Sequence, residues 1–385
     1  MVAVMDAMVD RSRSVNGVPT SLADLGYSDV GLDDAWQRLN SGPGGVGYHD
    51  AQGRPIVNTT RFPSLRAMAD HAHSLNLTSG WYSNNCISAD PSANVTHFLG
   101  DVAAFREFGF DSYKLDSCGG QKDIALWSSL LASSGPAVLI ENCHNGPYFP
   151  QHPYKPSQPV WCPFNLYRTS VDVEVLYASI FGVNLPSTVE FLRSNLSFPG
   201  CWAYPDMLEV GVAPGLHKGE VALTFAETRA HFAAWAIVSS PLVLSFDVRN
   251  GSAVDAMWPL VANTEILAVS DAWAGSAGDL ILEASTNVTW AHCGTAPGVS
   301  PCRAAAWQVW SKPLPGGGAA LLILNHNDAG SVSVSVPLAG IPGLACAPAS
   351  CAVRDVYAHS NNGSATGVFT AAAVPAHDSV FVTLT

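Results

Sequence analysis

Charged residues are scarce in this sequence, and basic residues are the scarcer kind. Only 13% of the 385 residues are charged, with 18 Lys and Arg against 31 Asp and Glu, which gives a formal net charge of −13. Phosphates repel such a chain, which argues against nucleic acid or an anionic membrane surface as partner. The excess of acidic residues is compatible with a neutral substrate that is bound and converted by carboxylates.

Long apolar runs and low-complexity tracts are lacking as well. No stretch of about 18 apolar residues free of charge occurs, so no membrane span is predicted. The segment from Met1 to Asp6 lacks the basic region, apolar core and cleavage site of a signal peptide. Because 48% of the residues are hydrophobic, the chain can bury a sizeable core, and its length suggests about two domains.

Cysteines and glycosylation sequons are frequent in this sequence, although no signal peptide is recognised. There are nine cysteines, and Asn-X-Ser/Thr sequons begin at Asn58, Asn76, Asn94, Asn195, Asn250, Asn287 and Asn362. Together they favour an oxidising secretory route, and thus a secreted, vacuolar or lysosomal protein. The missing signal peptide conflicts with this interpretation, so either the start is truncated or the sequons are unused.

Strand-like and helix-like segments alternate over the first 270 residues. Helices are predicted after Ser64, from Phe98 to Phe108, and from a capping box at Thr224 to Glu227. Strands are predicted at 29–32, 79–82, 112–115, 137–140 and 242–245. This alternation predicts an α/β fold with a parallel sheet closed into a (β/α)8 TIM barrel over residues 1–273.

The pattern changes after about residue 275. Helical periodicity gives way to short strand-like runs at 320–324 and 332–336, with turn-forming residues at 315–318 and 361–363. An antiparallel β-sandwich over residues 274–385 is therefore predicted as a second, C-terminal domain.

Acidic and polar side chains follow the predicted strands where each strand ends. In a barrel these ends surround one mouth, where catalysis takes place. Crowded carboxylates repel one another, so some stay ionised and others keep a proton, which is the combination that glycoside cleavage requires. The set comprises Asp33, Asp34, Tyr82, Asp116, Glu141, Asn142, Asp172, Asp206 and Asp247.

Lys114 and Asp116 lie two residues apart on one predicted strand, so their side chains face the same way. An isolated Lys-X-Asp is usually a surface ion pair, but at a barrel mouth the ammonium would keep Asp116 ionised and hold a sugar hydroxyl. Arg168 and Asp172 are four apart, and a structural ion pair is the alternative there.

Several segments, in this order, resemble glycoside hydrolase family 27, which contains the α-galactosidases and α-N-acetylgalactosaminidases. The resemblance covers nearly the whole chain and continues into the C-terminal β-domain. The matching segments are GLDDAW at 31–36, FPSLRAMAD at 62–70, YKLDSC at 113–118, WAYPDML at 202–208 and VRDVYAH at 353–359.

The resemblance implies a retaining exo-glycosidase that removes terminal α-galactosyl residues from oligosaccharides or glycoconjugates. Asp116 would be the nucleophile and Asp172, in RTSVD at 168–172, the acid/base. No metal or organic cofactor is implied, and the expected assembly, if any, is a homodimer. The substrate-binding set would comprise Asp33, Asp34, Trp36, Tyr82, Lys114, His144, Tyr148, Arg168 and Asp206.

Disulfides are expected at four places. The resemblance implies Cys86–Cys118 and Cys143–Cys162, while Cys293–Cys302 and Cys346–Cys351 follow from proximity in sequence alone. Cys201 is then left over, so either a thiol is free or one pairing is wrong.

The chain departs from the family pattern in two ways that matter here. The usual first strand, with its Gly-Trp-Asn-Ser-Trp motif, has no match. Residues 1–25 resemble the helix that should follow that strand, so the barrel is expected to lack its first strand. The segment CHNGPY at 143–148 has His144 where the family usually has Glu, so the preference at the sugar C2 position stays open.

Three other interpretations remain open. Within the family these are an α-N-acetylgalactosaminidase and a β-L-arabinopyranosidase, and retention of Asp34 favours galactose over the pentose, which lacks the C6 hydroxyl. Outside enzymes, the chain could be an inactive carbohydrate-binding homologue; the presence of both Asp116 and Asp172 counts against that.

Overall fold

Strands and helices alternate in the first half of the chain, as the sequence predicts. The computed structural model describes residues 1–84, 86–87, 90–146, 149–153, 157–347 and 349–385. Its first compact unit is Met1–Arg168. This unit begins with helix α1 (Val2–Met8) and an antiparallel hairpin of β1 (Arg13–Val15) and β2 (Val18–Thr20). Parallel strands then alternate with helices, in the order β3 (Asp29–Gly31), α2 (Leu65–Ser74), β4 (Thr78–Ser83), α3 (Val95–Phe108), β5 (Ser112–Leu115), α4 (Ile124–Ser133), β6 (Leu139–Asn142) and β7 (Leu166–Arg168).

The helix expected within residues 1–25 is confirmed only for α1. Residues 13–20 fold into the β1–β2 hairpin instead, because Asn16 and Gly17 take positive φ values of 51° and 78°. Two successive positive φ values are what a tight hairpin turn requires, and Asn-Gly is the dipeptide that adopts them most readily.

Alternation along the parallel strands separates a polar face from an aromatic one. Tyr82 lies opposite Lys114, and Lys114 lies opposite Glu141 in the strand register, so polar side chains share one face. On the other face Trp81 stacks on Phe108 of α3 at 5.4 Å between ring centroids, and Tyr113 packs 5.3 Å from Trp127 of α4. The helices therefore cover the aromatic face and leave the polar face for a site.

The predicted helix ends are confirmed by their caps. The Ser64 side chain accepts from the Ala67 N–H at the start of α2, and α3 ends at Gly109 with a φ of 78°. A capping box, in which Thr224 and Glu227 each satisfy the other's backbone N–H, opens the later helix α7 (Phe225–Ile237).

The second compact unit, Thr169–Thr385, passes from α/β to β structure. Its helices are α5 (Tyr177–Ser179), which continues as a π-helical turn over Ile180–Asn184, α6 (Val189–Arg193), α7, α8 (Gly251–Val261) and α9 (Thr264–Asp271). Its strands are β8 (Trp202–Tyr204), β9 (Asp279–Glu283), β10 (Asn287–Trp290), β11 (Cys302–Ala305), β12 (Trp307–Leu314), β13 (Gly318–Asn325), β14 (Ser331–Pro337), β15 (Ser350–Asp355), β16 (Ser360–Thr366), β17 (Val368–Pro375) and β18 (Ser379–Leu384).

The antiparallel strands enclose an aliphatic core. They pair in the order β14-β17-β16-β15-β18-β13-β12-β9, and β10 pairs with β11 as a separate hairpin. Leu321 and Ile323 of β13 are fully buried among Val334, Val353 and Val382. The chain of β13 is buried along its whole length, because the strand also packs against α7.

The parallel β/α units are of the (β/α)8 barrel type, and the antiparallel sheets form the predicted C-terminal β-sandwich. The compact units meet in sequence at residues 168 and 169, so the domain boundary at 273/274 stays a prediction. In 1–28 the described chain is helix, hairpin and turn. Among the described residues, no helix has the length and apolarity that crossing a bilayer demands.

Candidate active site

Asp116 follows strand β5, and its carboxylate is held from two sides. Oδ2 accepts the Tyr82 hydroxyl proton at 2.5 Å, and Oδ1 accepts the Ser117 N–H at 2.7 Å. Tyr82 is buried, and burial together with the Asp116 charge raises the pKa of its phenol well above the usual range. The phenol therefore stays a hydrogen-bond donor and fixes the direction in which Asp116 points.

Lys114 lies on the same face of β5 and pairs with Asp33, which follows β3. The Lys114 Nζ to Asp33 Oδ2 distance is 2.6 Å, and Nζ lies 5.6 Å from the centroid of the Tyr82 ring. Burial disfavours the ammonium, but the charges of Glu141 and Asp33 outweigh it and raise the Lys114 pKa. For Asp33, burial is likewise outweighed by Lys114, so its pKa is lowered. Both groups are thus ionised and face the site.

Asp34 is held by the loop that follows β4. Its Oδ2 accepts the backbone N–H groups of Cys86 at 3.0 Å and Ile87 at 2.9 Å, and its Oδ1 accepts that of Ala35 at 2.6 Å. The Cys86–Cys118 disulfide is present as expected, and Cys86 Sγ lies 3.3 Å from Asp116 Oδ2. The disulfide thus joins the loop that holds Asp34 to the segment that carries Asp116.

A network of buried amides supports the nucleophile candidate from below, and sequence reasoning missed it. Asn84 donates to the backbone carbonyl of Asp116 at 2.5 Å and to Asn145 Oδ1 at 3.0 Å, and its own Oδ1 accepts the Gln121 N–H at 3.0 Å. Asn145 donates to the Leu115 carbonyl at 2.6 Å. The only signal in the sequence was the position of Asn84 directly after β4.

Trp36 lies beneath this face rather than on its surface. Its side chain is fully buried, it packs edge-to-face on Trp81 at 4.6 Å, and its indole N–H donates to the Tyr82 carbonyl at 2.8 Å. A ring so enclosed has no open face for a sugar, so the structure gives Trp36 a supporting position under Tyr82.

Cys143 is a buried free thiol, so the predicted Cys143–Cys162 disulfide is wrong. Arg168, also buried, points Nη1 at the Cys143 sulfur at 3.7 Å, and the His144 Nδ1 lies 3.8 Å from it. Cys162 is itself disulfide-bonded, so it is not available to Cys143. The predicted contact residue Tyr148 lies outside the described residues.

The other cysteines are all disulfide-bonded. Cys293–Cys302 and Cys346–Cys351 form as predicted from proximity. Cys162 and Cys201 are each disulfide-bonded as well, so the expectation that Cys201 is left over is wrong.

In the second unit, Asp206 shapes the segment that contains Asp172. Asp206 is buried, has a φ of 101°, and accepts the backbone N–H of Val173 at 2.9 Å through Oδ2. Buried Asn184, another residue that sequence reasoning missed, donates to the Val171 carbonyl at 3.0 Å. Asp172 itself is exposed. Asp206 and Asn184 thus pin the backbone on which the acid/base candidate sits.

Two family models match this chain. The model described as "Alpha galactosidase A" matches residues 12–272, more than half of the sequence. The chain belongs to the α-galactosidase family, glycoside hydrolase family 27. A second model, "Alpha galactosidase C-terminal beta sandwich domain", matches residues 304–384.

Curated family members align over most of the chain. Alpha-galactosidase 3 of Arabidopsis thaliana is 28% identical over 380 residues, covering 96% of this chain and 75% of that protein. The alpha-galactosidase of Coffea arabica is 28% identical over 394 residues, covering 99% and 90%. That of Cyamopsis tetragonoloba is 30% identical, covering 71% of this chain and 62% of its own length.

Solved structures share the fold across the whole chain. Alpha-galactosidase I from Mortierella vinacea has a TM-score of 0.73 at 20% identity, covering 100% of this chain and 91% of its own. The alpha-galactosidase of Saccharomyces cerevisiae with raffinose has a TM-score of 0.73 at 18% identity, covering 100% and 93%. The GH27 β-L-arabinopyranosidase of Geobacillus stearothermophilus has a TM-score of 0.73 at 16% identity, covering 100% and 91%. At these identities the likeness establishes the (β/α)8 barrel and β-sandwich fold.

Proposed function

We propose that this glycoside hydrolase removes terminal α-galactosyl residues with retention of anomeric configuration. The observation that carries the proposal is the oriented carboxylate of Asp116, held by Tyr82 and Ser117 beside the Lys114–Asp33 pair. Relatives over nearly the whole chain are α-galactosidases.

The proposed reaction is a double displacement. Asp116 attacks the anomeric carbon while Asp172 gives its proton to the leaving oxygen, which forms a β-galactosyl ester on Asp116. Asp172 then takes a proton from water, and the water oxygen displaces the carboxylate to release α-galactose. The Tyr82 hydrogen bond aims Asp116 in the first step and stabilises it as leaving group in the second.

Recognition of the galacto configuration is proposed for the acidic residues after β3. Asp33 forms an ion pair with Lys114, and both side chains can bind sugar hydroxyls from one face of the sheet. Asp34 is already held by three backbone N–H groups, so its direction is fixed before a sugar arrives. Arg168, His144 and Asp206 are proposed to complete the pocket, with Tyr148 from outside the described residues.

The substrate is proposed to be an α-galactoside-containing oligosaccharide or glycoconjugate. Entry into the secretory pathway is proposed from the disulfides and from the sequons, of which those at Asn76, Asn94, Asn195, Asn250, Asn287 and Asn362 are exposed. The homodimer and the domain boundary at 273/274 also remain proposals, and the limits of the two family models support the boundary.

Hydrolysis of three aryl glycosides tests the proposal. Purified protein should give its highest kcat/KM with p-nitrophenyl α-galactoside, above the α-N-acetylgalactosaminide and the β-L-arabinopyranoside. Proton NMR of the first product should show the α anomer. Binding without turnover would establish the inactive homologue instead, and preference for another glycoside would reassign the substrate.

A further inference from the structure

Two histidines and two aspartates form a buried cluster away from the site described above. His49 lies between β3 and α2, Asp90 precedes α3, and His97 and Asp101 lie on α3. His97 and Asp101 are four residues apart and therefore share one helix face. The side chains of His49 and Asp101 are fully buried, and that of Asp90 is 8% exposed.

The geometry around His49 has the form of a metal ligand with a carboxylate behind it. His49 Nε2 is 3.0 Å from Asp101 Oδ2, and that oxygen also accepts from Gln121 Nε2 at 2.7 Å. A carboxylate on one ring nitrogen fixes the tautomer and directs the lone pair of the other nitrogen toward a metal. That other nitrogen, Nδ1, points at Asp90 Oδ2 from 2.8 Å.

His97 supplies a third ligand atom at the same place. Its Nδ1 is buried without a hydrogen-bond partner among the described residues and lies 3.6 Å from Asp90 Oδ2. Its ring stacks on His49 with 4.2 Å between centroids. Zinc bonds of about 2.0–2.1 Å in a tetrahedron place neighbouring ligand atoms about 3.3 Å apart. The observed distances of 2.8 and 3.6 Å bracket that value.

Charge balance favours a divalent cation over a proton in this cluster. Within the described parts of the chain, Asp90 and Asp101 form ion pairs with His49 and His97 alone. With His49 alone protonated, the two buried carboxylates keep a net charge of −1, and an uncompensated buried charge is costly. A second proton on His97 would place two imidazolium rings 4.2 Å apart between centroids, where their like charges repel. One divalent ion with a neutral His49 brings the charge to zero. Asp101 Oδ1, buried and without a donor in the described parts of the chain, marks the same deficit of positive charge.

We propose that His49 Nδ1, Asp90 Oδ2 and His97 Nδ1 form a structural Zn²⁺ site, with Asp101 and Gln121 orienting His49 and water as the fourth ligand. Two imidazoles and one carboxylate, with water in the fourth position, are one of the ligand sets with which proteins bind zinc. The site joins the segment after β3 to the start of α3. It also reaches the nucleophile candidate, because Gln121 N–H bonds to Asn84, whose amide holds the Asp116 carbonyl.

Calorimetric titration with ZnCl₂ of full-length protein, stripped beforehand with dipicolinate, tests the proposal. Wild type should bind one equivalent at this site, and Co²⁺ in its place should show the visible d–d bands of a tetrahedral complex. His97→Gln should weaken binding at least about 10-fold, and Asp101→Asn about 10–100-fold. Circular dichroism checks that each variant is folded; His97→Gln, at a partly exposed side chain, is the safer of the two.

His71→Gln is the matched control, because His71 also contacts a carboxylate, Asp6 at 2.8 Å, but on an exposed surface. Its zinc affinity should equal that of wild type. If wild type binds no zinc, or if folded His97→Gln binds as wild type does, the proposal is overturned. The readout is binding, so its failure leaves the proposed galactosidase activity untouched.

Discussion

At the scale of single residues, Asp116 is the proposed catalytic residue whose position is fixed by the most hydrogen bonds described above. Its two oxygens are oriented by Tyr82 and Ser117, while its backbone carbonyl is held by Asn84. Lys-X-Asp on a strand and the strand-end carboxylates were visible in the sequence. The roles of nucleophile and acid/base came from the family resemblance, and they stay predictions.

Asp116→Ala should lower kcat for the aryl α-galactoside by at least about 10³-fold, because the variant lacks the carboxylate on which the proposed ester forms. Added azide should restore part of the turnover by occupying the space of the lost carboxylate. Since azide attacks opposite to the leaving group, the product should be β-galactosyl azide, which mass spectrometry and NMR identify.

Asp70→Ala removes an exposed carboxylate on α2, where Asp70 pairs with Arg66, and should keep wild-type kcat. Undiminished turnover in Asp116→Ala would refute the nucleophile assignment.

Glu209 gives a prediction about pH. It is buried, and burial, reinforced by the charges of Asp206 and Glu220, raises its pKa from 4.5 to about 8. Its N–H donates to buried His231, whose pKa burial lowers to about 3, so this imidazole is neutral and does not oppose the shift. Between pH 4.5 and about 8, the Glu209 carboxyl of the native state holds a proton that the unfolded state has lost. Glu209 therefore lowers the free energy of unfolding as pH rises from 4.5 to 8.

Glu209→Gln should flatten that part of the profile, measured by urea unfolding at intervals from pH 4.5 to 9. Glu190→Gln, at an exposed position on α6, is the control and should keep the wild-type slope. Equal slopes in Glu209→Gln and wild type would show that Glu209 is not protonated in the native state.

At the scale of elements, helix ends were easier to predict than strand ends. Ser64, Gly109 and the Thr224–Glu227 box carry local signals, because a cap depends on residues within one turn. Strand β6 begins at Leu139, two residues later than predicted, since its limits are set by pairing with β5.

Turn predictions from residue type were wrong where strand pairing determined the local structure. Residues 361–363 were predicted as a turn but lie inside β16. Gly363, with a φ of 71°, instead sits opposite a register shift in β15 between Ala352 and Arg354. A bulge uses the same positive φ as a turn, so the residue type cannot distinguish them. The predicted strand at 242–245 survives only as a bridge between Leu244 and Leu208.

Thr224→Ala tests the capping box. The change leaves the Glu227 N–H without its acceptor and should cost about 0.5–2 kcal/mol in the free energy of unfolding, measured with urea. Thr264→Ala is the control, because Thr264 is exposed in the first turn of α9, where Asn263 provides the cap. Equal loss of stability in both variants would contradict the role of the Thr224 side chain.

At the scale of the whole molecule, composition and periodicity predicted the order of architectures. Contacts that join distant segments stayed out of reach. His49 comes from the segment after β3, whereas Asp90 precedes α3 and His97 lies in its first turn, so no short ligand spacing in the sequence reveals the three. The same holds for Cys143, whose expected partner was inferred from the family pattern rather than from its burial beside Arg168.

The free thiol of Cys143 allows local unfolding of the protein to be measured by thiol labelling. With eight cysteines oxidised, a thiol reagent has one place to react, and that place is sealed in the native state. Labelling must wait for the chain around Arg168 to separate, so its rate counts opening events at the base of the proposed pocket. A galactoside bound in the proposed pocket should lower the labelling rate of Cys143. The rate at this one cysteine can therefore report both ligand binding and local opening, without an attached probe.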